Sequence, residues 1–141
     1  MRTLALIAML AVACGIPENN PTMQPGQDCM QCHGRSAQSW TVAGTVFGAV
    51  DSEADAGVSA AKIYLTDADG RSYTLSSNGS GNFYTAEQLK FPLRAQAEAN
   101  GARMAMSEPV TSGSCNSCHT QPPQNNALGR LFAPAGGGPA R

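Results

Sequence analysis

The chain has little charge, few histidines and no long apolar run. Nine Lys and Arg face ten Asp and Glu in 141 residues, for a formal net charge of −1. Without a basic surplus, nothing in the sequence favours nucleic acid as a partner. With only two His, there is no Ser/His/Asp set, and no Gly-rich phosphate loop is present. The loop-placed acids Asp51, Glu53, Asp55, Asp67 and Asp69 lack an EF-hand spacing, so they read as solvated turns. A long helical protein is disfavoured by 15 Gly and 9 Pro, which imply many turns and a β-rich domain.

The first thirteen residues, "MRTLALIAMLAVA", stand apart. Arg2 supplies a positive charge, and the apolar run from Leu4 to Ala13 is too short to span a bilayer. Small residues end the run, as in a secretory signal peptide. Cys14 then follows "LAVA", and the pentapeptide resembles the lipobox of bacterial lipoproteins, with Ala11 where that family usually has Leu. The resemblance implies a lipid on Cys14 and, with Gly15 next, an outer-membrane destination. Ordinary cleavage after Ala13 would instead leave a lone thiol, the odd cysteine of an exported protein. Residues 14–28 are polar and hold three Pro, which reads as a flexible tether.

From residue 41 to 108 the pattern is that of strands. "AAKIYLT" sets Ile63 and Leu65 against Lys62, Tyr64 and Thr66, and "FPLRAQAEA" sets Leu93, Ala95, Ala97 and Ala99 against Arg94, Gln96 and Glu98. "DADG", "NGSG" and Asn100-Gly101 are turn signals between them. Six to seven strands at this spacing predict a mainly β fold, a small antiparallel sandwich. The stretch 86–90 is taken as a connection. Residues 109–141 hold the second motif described below and a flexible Pro-, Gly- and Asn-rich tail. The only apolar patch of that tail, "LGRLF", is expected to pack locally.

Five Cys and two His are present, and they are not scattered. Cys29, Cys32 and His33 stand at i, i+3 and i+4, and Cys115, Cys118 and His119 repeat the spacing. On one helical turn those positions share a face. Two thiols so placed can bond the two vinyl groups of a haem while the adjacent His ligates its iron, which is the c-type attachment pattern. The motif consumes every Cys after Cys14 and both His. Two disulfides or a four-thiolate zinc site would also use the thiols. Neither explains a His directly after each pair. A CxxC redox motif would call for a βαβ unit that the pattern lacks.

The chain resembles small secreted multihaem c-type cytochromes on these two motifs. Its middle resembles the transthyretin-like carboxypeptidase regulatory domain on "AGTVFG", "GVSAAKIYLTDADG" and "SNGSGNFY". The second resemblance implies a fold and no activity. The expected architecture is then a sandwich flanked by two short loop or helical attachment segments, residues 29–40 and the start of 109–141. An even number of chain-reversing strands would bring both motifs to one pole.

Two covalent haems leave the sixth iron ligands open. His33 and His119 fill one axial position each and no third His exists, so Met is the next donor. Met23 lies in the polar tether, and Met104 and Met106 share the face of Ala97 and Ala95 across the Asn100-Gly101 turn. Core packing is the default for Met104. Trp40 either packs on a porphyrin or anchors the first strand. The function expected is single-electron transfer between redox proteins in the periplasm or at the outer membrane, without enzymatic catalysis. Two alternatives remain: an assembly module of a larger cytochrome complex, or a ligand sensor or peroxidase-like enzyme with an open iron.

Overall fold

The computed structural model describes residues 23–34 and 39–133. The leader over 1–13, Cys14 and the end of the tail lie outside the described residues. Among them the fold is mainly β, with six strands in two antiparallel sheets. Strand β1 (Val42–Thr45) pairs with β4 (Asn82–Thr85). The larger sheet runs in the order β3 (Ser72–Ser76), β2 (Lys62–Thr66), β5 (Arg94–Ala99), β6 (Ala102–Ala105). Helix is confined to α1 (Met30–His33) and a 3-10 turn at Cys115–Ser117.

Period-two patterning explains the larger sheet. Ile63 and Leu65 of β2 are buried while Lys62 is exposed, and Ala97 and Ala99 of β5 are buried behind Leu93. Val42, Val46 and Phe83 from the β1 side close the core over these residues. The Asn100-Gly101 turn takes positive φ at both positions, 51° and 76°, the type that matches the twist of a two-residue hairpin. It sets Ala97 opposite Met104. Residues 86–90 connect β4 to β5 without forming a helix.

Strand β1 departs from the alternating pattern, since all four of its residues are buried. One edge pairs with β4; the other is covered by three different groups. The N–H of Ala43 donates to the Gly113 carbonyl at 2.9 Å, that of Thr45 to Asn116 Oδ1 at 3.0 Å, and that of Phe47 to the Leu131 carbonyl at 2.9 Å. Isolated parallel bridges join Ala43 to Ser114 and Phe47 to Phe132. A strand edge left bare would invite another chain. Here the stretch after β6 returns to cover it, leaves as the 3-10 turn, and comes back at residue 131. The tail patch "LGRLF" is thereby built into the sandwich: Leu131 packs on the core, Ala133 is buried within it, and Leu128 is exposed.

Candidate functional site

Both motifs meet on β1. The second is fixed first by space. A Cβ on Gly44 would fall 2.8 Å from Cys115 Cβ and 2.8 Å from the Phe83 ring. A glycine is therefore needed for the motif to lie flush against the strand and for Cys115 to reach the edge of the core. Asn116, the residue after Cys115, is 2 % exposed and fills the missing rung of the β1 edge.

The same Asn116 ties in the first motif. Its Nδ2 donates to the Gln27 carbonyl at 2.8 Å and to Thr45 Oγ1 at 3.0 Å, and lies 3.9 Å from Cys29 Sγ. The Thr45 hydroxyl also accepts from Gly26 N–H at 2.9 Å and donates to Asn82 Oδ1 at 2.7 Å. Its one proton and two lone pairs are all used. Ser114 Oγ donates to Asp28 Oδ1 beside this hub. Residues 23–28, the end of the stretch read as a tether, therefore lie against the sandwich. Asn116 and Thr45 are the organising residues that motif reasoning passes over. The only sequence signal was a polar amide inside one CxxCH and a Thr in a strand.

The thiols respond to this packing. Burial pushes Cys115 from the ordinary 9.0 up to about 12, with the Cys29 and Cys118 sulfurs adding to the rise. Burial raises Cys29 to about 11 against an opposing backbone hydrogen bond, and Asp28 adds to it. That the Cys29 sulfur acts on Cys115 is itself a sign that the two motifs are neighbours. Cys29, Cys115 and Cys118 are thiols, whereas Cys32 is disulfide-bonded. A thioether at Cys32 requires that bond to be reduced.

The two histidines are held differently. The His33 ring stacks on Trp40 with centroids 3.7 Å apart, and Trp40 stacks on Tyr84 at 4.1 Å, both at 12° between planes. The His119 ring instead places Nδ1 3.0 Å from the Gly129 carbonyl, while its Nε2 is buried with no hydrogen-bond partner. An orphaned buried nitrogen costs about 1–3 kcal/mol. A ring nitrogen turned towards a carbonyl, with the other left bare, is how a metal-ligating His is normally oriented. On that observation the residues present fit an iron ligated by His119 Nε2.

The methionines divide. Met23 lies near the first motif, where its carbonyl accepts from Asn82 Nδ2 at 3.5 Å. Met104 and Met106 follow β5 into the other sheet. Met104 is half-buried opposite Ala97 and outside the core cluster, so the packing expected of it is partial. Met106 is 42 % exposed and its N–H donates to the Ala95 carbonyl at 3.0 Å. Trp40 occupies the stack described above. Among the described residues no group of three or more His, Cys, Asp or Glu gathers at metal-binding distance. A haem iron asks for one protein donor on its proximal side, where a four-thiolate zinc site asks for a cluster. No described helix is long and apolar enough to cross a membrane. The chain matches no protein-family model, no curated protein and no solved structure.

Proposed function

We propose that the chain is an exported dihaem c-type cytochrome that passes single electrons between redox proteins, held at a membrane through Cys14. The observation that carries this reading is His119 within its motif: Nδ1 faces a carbonyl and Nε2 is buried and bare, four residues after a thiol pressed against β1. The juxtaposition of the two CxxCH segments through Asn116 supports a pair of sites close enough to exchange electrons.

In this reading Cys29, Cys32, Cys115 and Cys118 would hold the haems covalently through thioethers. Once attached, the haem iron supplies the one-electron couple. The protein's part is to fix distance, orientation and ligand field. Asn116 and Thr45 hold the two segments together, and Gly44 sets how closely the second approaches the sheet. His33 and His119 supply the proximal nitrogens, and Met23, Met104 and Met106 are the sixth-ligand candidates within the chain.

The test is expression with a c-type maturation system, followed by oxidised and reduced spectra and a pyridine haemochrome count. Two covalent haems per chain with low-spin bands are expected. No covalent haem, in cells where a control cytochrome matures, sinks the proposal. High-spin haem that binds CO on reduction would turn the function from electron transfer to ligand sensing.

A further inference from the structure

Gly129 lies ten residues after His119, in the segment that composition marks as tail. Its φ is +133°, and a Cβ there would fall 2.6 Å from the Val50 carbonyl. The backbone around it is fastened to the residues after β1. Arg130 N–H donates to the Val50 carbonyl at 3.0 Å, Arg130 Nε to the Ser52 carbonyl at 2.6 Å, and the guanidinium lies 4.4 Å from the centre of the Phe47 ring. Gln121 Nε2 donates to the same Val50 carbonyl. The Gly129 carbonyl is thus held in place by contacts that do not involve His119.

A carbonyl oxygen accepts and never donates. The Nδ1 atom 3.0 Å from it must therefore carry the proton, and the neutral ring keeps its lone pair on Nε2. Among the described residues no hydrogen bond is made to the His33 ring, whose contact is the stack on Trp40.

We propose that the Gly129 carbonyl is a positioning group that fixes the His119 tautomer and makes the two histidine sites unequal. This rests on the reading of both histidines as iron ligands. A donated Nδ1–H raises the basicity of Nε2 as a ligand. A more basic ring nitrogen would favour the ferric state, so this contact would lower the reduction potential of the His119 site.

The first measurement needs no haem. The full chain, made without maturation and labelled with 15N at histidine, is examined by NMR at alkaline pH. His119 is expected as the Nδ1–H tautomer and His33 as the Nε2–H tautomer that free imidazole prefers. An Nε2–H tautomer at His119 overturns the proposal. The second measurement uses the matured protein. Gly129→Ala should move one of two reduction steps upward and leave the other in place. Equal movement of both steps, or of neither, overturns the claim of inequality. If that variant does not fold, Gln121→Ala loosens the same segment and should shift the same step in the same direction. A chain that attaches no haem would sink the proposed function, while the tautomer still decides separately whether Gly129 positions the ring.

Discussion

The two CxxCH segments share a spacing and differ in nearly everything that supports it. The first forms a four-residue helix in which no residue is buried, and its His rests on an aromatic stack that ends at Tyr84, 48 % exposed. The second is a 3-10 turn whose Asn116 is buried, wedged between two stretches that complete the edge of β1. An identical motif can be laid on a fold from outside or built into its hydrogen bonding. The difference lies in the residues between the cysteines and in the chain that follows, outside the motif itself.

The largest test of this contrast compares the residue after the first Cys of each motif. Asn116→Ala strands the Thr45 N–H and the Gln27 carbonyl, and should destabilise the full chain by about 2–4 kcal/mol in urea denaturation. Met30→Ala at the matching position should cost less than about 1 kcal/mol, since α1 buries no residue. Equal losses would erase the distinction between embedded and peripheral motifs.

A smaller effect is expected at Gly44. Gly44→Ala inserts a methyl against Cys115 and Phe83, and should cost about 1–3 kcal/mol. The second motif should also lift, so that Cys115 alkylates faster while Cys118 hardly changes. Unchanged alkylation of Cys115 would mean that the close approach to β1 does not hold it.

The mildest test is pH. Both shifted thiols have folded-state values above the ordinary 9.0, so they favour the folded state below pH 9.0. That contribution fades as pH rises towards about 11 for Cys29 and about 12 for Cys115. The haem-free Cys115→Ala variant should therefore lose less stability over this range than the parent, and Cys29→Ala should recover a smaller part. Parallel curves for all three would remove burial of the thiols as the cause.

Much of the fold was legible in sequence. Ile63 and Leu65, and Leu93, Ala97 and Ala99, alternate with polar residues, and that period places them inward whatever the sheet order. The hairpin at Asn100-Gly101 follows from local backbone preference alone. The tail was legible only in its one apolar patch, "LGRLF". Its Pro, Gly and Asn show no apolar period, yet the Leu131 carbonyl and the Ala133 N–H bond to Phe47, and the Gly129 carbonyl faces His119. Composition records side chains, and these contacts are made by backbone. The candidate site was half legible: the Cys and His positions stand out by spacing, while Asn116 and Thr45 look like ordinary polar residues until their partners are known.

By itself, the sequence determined the mainly β class, the strand periods, the turns and the two CxxCH spacings, because each is encoded within a few neighbouring residues. The strand count pointed both motifs to one pole, and only the tertiary structure decided which contacts join them. That depends on pairs such as Thr45 with Asn116, 71 residues apart, and Gln27 with Asn116, 89 apart. Such pairs form only when a strand edge with unmet N–H groups is closed by a distant part of the chain, and no local pattern specifies which part that is.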